Sequence, residues 1–227
     1  MKQVHNILLF LFISFALISC NKAEQSMIDV SIGYFNISGL SLSCDGEILP
    51  ITRAVDASLQ LQILQGETVV KDYAPGDDLS KRIVLPVGNY TLKAFTPNQS
   101  EAVNDESGNP IYGLTTSFEV KEADITSLSL IVPQVNVGMN VNASDNFTAN
   151  FHSISVVFSS VSGRSVTIPV TTGPSAYYYF SVPMDGKLQY KVIAYNADEE
   201  EMTVTKSIAD INTAKNYSIR LELAIEP

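Results

Sequence analysis

Apolar and polar residues alternate along this chain in stretches that only a half-buried strand requires. Ser58-Leu59-Gln60-Leu61-Gln62-Ile63, Tyr90-Thr91-Leu92-Lys93-Ala94, Val135-Asn136-Val137-Gly138-Met139-Asn140-Val141 and Tyr217-Ser218-Ile219-Arg220-Leu221-Glu222-Leu223 put an apolar side chain at every second residue. Successive side chains of a strand face opposite ways, so this period buries one face and solvates the other. Gly, Pro, Asn and Asp punctuate the runs at the spacing of an all-β sandwich. No amphipathic helix stands out. Phe35-x-Ile37 and Leu40-x-Leu42 are out of phase across Gly39, which predicts a bulge there that keeps both pairs on the core side.

The pattern repeats. Val84-Leu85-Pro86-Val87-Gly88-Asn89-Tyr90-Thr91-Leu92-Lys93-Ala94 reads as a strand end, a Pro-x-Gly turn and an alternating strand, and Ser181 to Val192 repeats it with one extra turn residue. Ala123-Asp124-Ile125-Thr126, ahead of one apolar strand, is echoed by Ala209-Asp210-Ile211-Asn212 ahead of another. Matched features in the same order predict tandem antiparallel β-sandwich domains, 29–132 and 133–227, dividing near Pro133. So short a junction leaves little slack, and the two are expected end to end as a stiff rod.

The N-terminus gives an address. Lys2 precedes an apolar run from Ile7 to Ile18, shorter than the ~20 residues that span a bilayer, so residues 1–19 read as a signal peptide. Leu17-Ile18-Ser19-Cys20 resembles the bacterial lipobox, which implies cleavage before Cys20 and a diacylglycerol on its thiol, with residues 20–28 as a tether. The competing reading is an ordinary signal peptide with a cysteine nearby by chance. Several acyl chains hold more firmly than one, so the protein is expected at a membrane without spanning it. Asn21-Lys22-Ala23-Glu24 is similar to the short signal that sends Bacteroides-type lipoproteins to the exterior face of the outer membrane, although any polar tether would look the same.

Chemistry is less legible. A net charge of -10 argues against nucleic-acid partners, which need Lys and Arg to neutralise phosphate. Cys44, in Leu40-x-Leu42-x-Cys44, is expected as a buried, inert thiol. His152 is the one histidine beyond the signal peptide, the single candidate base for a serine triad, and a lone histidine at a strand start is usually structural; the chain reads as a non-enzyme, with no cofactor beyond the lipid on Cys20. The loop Asn104-Asp105-Glu106-Ser107-Gly108-Asn109 has oxygen ligands but not the spacing of a calcium loop, and no metal is assigned. In Tyr177-Tyr178-Tyr179-Phe180 alternation sends Tyr178 and Phe180 to one face and Tyr177 and Tyr179 to the other. An outward pair could stack on a sugar ring or anchor a protein partner; aromatics filling the core and its rim is the plainer alternative.

The lipobox, Thr52-Arg53-Ala54-Val55-Asp56 and Leu85-Pro86-Val87-Gly88-Asn89-Tyr90-Thr91-Leu92 together resemble a domain-of-unknown-function family of Bacteroides-type lipoproteins built from immunoglobulin-like or transthyretin-like domains. More distantly the chain is similar to fimbrillin-like pilus proteins. That resemblance implies proteolysis between Arg53 and Ala54, opening a groove for a strand of the next subunit; an unprocessed loop arginine is the alternative. The function expected is non-enzymatic adhesion or fimbria-type assembly, with a protein partner or pilus subunit bound at domain edges or loops. A carbohydrate-binding lipoprotein of a glycan-uptake system and a plain spacer are the alternatives.

Overall fold

A computed structural model describes residues 31–51, 59–160, 162–171, 173–183 and 185–223, with the side chains of 48–51 left aside. Among these residues are sixteen strands and one short helix. From Ser31 onward the chain forms one compact unit.

Strand β1 (Ile32–Cys44) organises the first half. The two residues that follow it, Asp45 and Gly46, at φ 53 and 80, turn the chain directly into β2 (Glu47–Ile51), whose register runs from Cys44↔Glu47 to Leu40↔Ile51. Positive φ at both central positions is what a two-residue hairpin of matching twist demands, and Asp-Gly supplies it. The other end of β1 pairs antiparallel with β5 (Ile83–Pro86), while β8 (Ile125–Pro133) runs parallel along its far side. The second sheet is antiparallel, in the order β4 (Thr68–Tyr73), β3 (Gln60–Gln65), β6 (Gly88–Phe95), β7 (Gly113–Val120). Phe35, Leu61, Leu92, Phe118 and Val132 fill the space between, with Phe35 stacked on Phe118 at 4.2 Å.

The second half repeats this wiring. Strand β9 (Val137–Ala143) is central; β12 (Gly173–Pro174) and β13 (Tyr178–Phe180) pair antiparallel on one side, and β16 (Asn216–Leu221) pairs parallel on the other. Facing it lie β11 (Ser165–Pro169), β10 (His152–Ser159), β14 (Leu188–Tyr195) and β15 (Glu201–Ile208), in that order. Met139, Phe158, Ile168 and Phe180 belong to a separate second core. The β-sandwich architecture read from the alternation is present, with one departure: the first and last strands of each half run parallel. A parallel neighbour needs a long crossover, and here the rest of each sandwich serves as that connection.

The register of β1 against β8 shifts between Ile37 and Gly39, the bulge that the phase change at Gly39 predicts. Phe35, Leu40 and Leu42 are buried and Ile37 packs against the same core. The helix α1 (Asp145–Asn150) is a correction to a reading that found none. Six residues are too few to show a helical period. Its local cue is Ser144, whose hydroxyl accepts from the Phe147 amide at 3.2 Å as an N-cap.

Candidate functional site

The aromatic run divides between faces as alternation requires. Phe180 and Tyr178 pack into or against the second core, and Tyr177 and Tyr179 turn outward with ring centroids 6.3 Å apart at 39°. They do not form one open platform. Tyr177 is 39% exposed, whereas Tyr179 is half-buried and its phenol is pushed up by that burial, with Cys44 and Tyr177 alongside adding to it. Strand register sets Tyr179 opposite Gly138. A Cβ on Gly138 would lie 2.3 Å from Asn216 Oδ1 and 3.1 Å from Tyr177 Cδ1, so glycine is what lets both side chains lie across β9.

Cys44 places Tyr179 at the seam between the two halves, and polar groups hold that seam. The Asn216 amide donates to both Asp45 carboxylate oxygens at 2.9 and 3.1 Å. Asn216 Oδ1 accepts from the Gly138 amide at 2.9 Å and from Gln134 Nε2 at 3.1 Å, and its Nδ2 donates to Cys44 Sγ at 3.2 Å. The Asp45 amide donates to the Ala214 carbonyl at 2.8 Å, and the Gln134 amide to the Ser43 carbonyl at 2.9 Å. Asn136 accepts from the Ile111 amide and donates to the Asn109 carbonyl, both at 2.9 Å. Gln134 and Asn136 are buried, and buried polar groups that are fully paired specify one arrangement. Cys44 is only half-buried, against the expectation of a core thiol. Cys44 keeps the phase of buried Leu40 and Leu42 but is the last residue of β1, where the strand leaves its own core and meets Asn216 of the second half. Burial, then the neighbouring Asp45 and Glu47 carboxylates, push its thiol up to about 11.

A second set of contacts comes from the connection between β6 and β7. Residues 96–112 leave the first sandwich and lie along edges of the second. Asn104 Oδ1 accepts from the Ser165 amide at 3.0 Å and Asp105 Oδ1 from the Thr167 amide at 2.8 Å, both on β11. The Tyr179 amide of β13 donates to the Ser107 carbonyl at 2.8 Å. Glu101 accepts from Ser162 at 2.8 Å and from the Ser181 amide at 2.9 Å. Arg164, only 5% exposed, is the pin: its guanidinium donates to the carbonyls of Val103, Glu106 and Tyr179 and sits 4.4 Å over the Phe180 ring. Burial draws its pKa down while Glu101 and Glu106 pull it back. Between this connection and the two sandwiches lies a cleft of about 920 Å³, whose lining includes Asn98, Glu101, Asn109, Tyr112 and Tyr179.

The structure therefore assigns the acidic loop Asn104 to Asn109 to covering strand edges. Among the described residues, no group of three or more His, Cys, Asp or Glu side chains is placed to hold a metal ion. His152 lies beside Glu199 at 3.3 Å at an exposed corner. Cys20, Arg53 and Ala54 lie outside the described residues. Sequence reasoning missed Arg164, Asp45, Gln134, Asn136 and Asn216. The one cue was compositional, because amides at Asn136 and Asn216 flank strands whose neighbouring residues are apolar.

Residues 40–226 match the domain of unknown function DUF4493, a span that includes both sandwiches. The chain belongs to that family. Among solved structures, the DUF4493 chain is similar to a candidate polysaccharide-binding protein (DUF1812) from Bacteroides thetaiotaomicron, at 8% identity and TM-score 0.51, over 84% of this chain and 91% of that one. A candidate adhesin from Bacteroides ovatus matches at 11% identity and TM-score 0.44, over 88% and 95%. The fimbrial anchor protein Mfa2 from Porphyromonas gingivalis matches at 12% and 0.40, over 75% and 80%. At these identities the first of them shows a shared fold, and the weaker two carry no further weight. Among curated proteins no match is found.

Proposed function

We propose that this DUF4493 chain is a non-enzymatic lipoprotein of the cell surface, anchored through an acylated Cys20, that acts in adhesion or fimbria-type assembly by binding another protein at its sheet edges. The observation carrying this reading is the segment 104–107, which turns at Asn104 and Asp105 and satisfies edge amides of β11 with their side-chain oxygens and an edge amide of β13 with the Ser107 carbonyl, all within the chain itself. Unpaired strand edges take up acceptors from whatever chain reaches them. Among the described residues, comparable edges remain at β15 and β4, each paired on one side only, with Val204, Val69 and Val70 exposed along them.

Two modes of assembly follow, distinguished by what happens at Arg53. The resemblance to fimbrillin-like proteins implies a cut before Ala54. That cut would detach β1 and β2, and β1 is the strand between β5 and β8. Its loss would open the first sandwich along a full strand for a segment of the next subunit. Intact mass and N-terminal sequence of the protein released from living cells test this directly. A species starting at Ala54 supports a processed pilus-type subunit; an acylated species starting at Cys20 supports an anchored adhesin and removes Arg53 from consideration.

A glycan-binding reading draws support from Tyr177, whose ring faces outward beside Tyr179. The fold shared with a candidate polysaccharide-binding protein is compatible with it, although fold alone does not assign a ligand. Since Tyr179 also serves the seam, Tyr177→Ala is the cleaner test: lost polysaccharide retention by a protein that unfolds normally would favour glycan over protein binding.

A further inference from the structure

One face of the first sandwich is apolar where its counterpart on the second sandwich is covered. On the second sandwich, strand register lines up Tyr179, Gly138 and Asn216 across β13, β9 and β16, and the end of the first sandwich lies over that row through Cys44 and Asp45. The corresponding row on the first sandwich is Val84, Tyr34 and Ile125, across β5, β1 and β8. Beside it Ile32 pairs with Pro86, and the Val87 amide donates to the Ser31 carbonyl at 2.9 Å. Val84 is 51% exposed, Ile32 and Ile125 44% each, and Val87 42%. Contiguous apolar side chains on an outer sheet face mark a surface that something else covers.

Position in the chain indicates the occupant. Ile32 lies in the patch, and ten residues, 21–30, separate Ser31 from Cys20. Even fully extended, ten residues span about 35 Å, so a lipid on Cys20 holds this face close to the bilayer. Charged residues of both signs lie at its margin: Glu122, which accepts from the Ser31 hydroxyl at 3.0 Å, Asp124, which accepts from the Ile125 amide at 2.7 Å, Lys121, and exposed Arg82, two residues before Val84. With both signs present, the contact draws on apolar burial and not on headgroup charge.

We infer that Ile32, Tyr34, Val84, Val87 and Ile125 form a membrane-resting face that seats the first sandwich on the lipid surface. The inference rests on the acylation of Cys20. Apolar burial drives the contact, and the acyl anchor supplies the proximity that a patch of this size lacks alone.

The chain contains no Trp, so a single introduced indole reports its own surroundings. Acylated full-length protein carrying Val84→Trp, and separately Ile125→Trp, is reconstituted in phosphatidylcholine vesicles, with Val204→Trp on β15 as the distant control. The expected result is a blue-shifted emission quenched at least two-fold by brominated acyl chains at positions 84 and 125 and not at 204. Unquenched indoles at 84 and 125 in protein that floats with the vesicles overturn the membrane face while leaving the anchor intact. A blue shift without bromolipid quenching overturns it in favour of a protein occupant. Protein that neither carries acyl mass at Cys20 nor floats overturns both, and mass spectrometry separates that outcome from the others.

Discussion

At Gly138 the molecule has room for a hydrogen atom and no more. Gly138→Ala forces a methyl against Asn216 Oδ1, 2.3 Å away, and displaces the group that accepts from the Gly138 amide and Gln134. Asn216→Ala removes the same acceptor by truncation and leaves those donors buried. Each change is expected to cost about 2 kcal/mol, within the usual range for an orphaned buried polar group. Because Ala at 216 also removes the clash, the double variant should cost clearly less than the sum; additive urea midpoints would show that the two do not share one contact. Cys44 offers a chemical readout of the same spot. With its pKa raised from 9.0 to about 11, the native thiol should be alkylated roughly ten-fold more slowly at pH 8 than after unfolding, because only the thiolate reacts and its greater basicity offsets part of its smaller population. Equal rates in the two states would mean that the seam does not shelter it.

Among the elements, the connection 96–112 departs most from what its composition suggests. Its Asn, Asp, Glu and Gly residues read as a solvated loop, and nothing local reveals that their acceptors meet amides of β11. That contact depends on an arginine about sixty residues away. Arg164→Met keeps most of the bulk over Phe180 but removes the donors to three carbonyls. A loss of roughly 3 kcal/mol is expected from leaving those acceptors without their charged partner, and Lys, lacking the planar fork, should not restore it. Hydrogen exchange should rise at the Thr167 and Tyr179 amides, which donate to Asp105 and Ser107; unchanged protection there would mean that the loop holds without its pin. By contrast, the strands themselves were legible, because period two is a local signal. So was the bulge near Gly39, where the phase of the apolar residues changes within six positions. The helix was not, and neither was the division of labour between Tyr177 and Tyr179, since alternation tells which side chains share a face but not what lies against it.

At the scale of the whole molecule, the seam between the halves left almost no trace in the sequence. Its polar contacts join residues up to 172 positions apart, and no window of sequence contains both partners. Asp45→Ala removes the acceptor for the Asn216 amide without touching either apolar core. Wild type should therefore unfold in a single calorimetric transition and the variant in two, or in one whose van't Hoff enthalpy falls well below the calorimetric value. A single two-state transition in both would mean that coupling resides elsewhere in the seam. The parallel pairing of β1 with β8, and of β9 with β16, has a mechanical meaning. Tension applied between the start of β1 and the end of β8 pulls the two strands past one another along their length. The ladder from Tyr34↔Ile125 to Ser43↔Pro133 is then loaded all at once, in shear, instead of peeling open one bond at a time. The same holds from Gly138↔Asn216 to Ala143↔Leu221. A chain wired this way resists being drawn out by its ends.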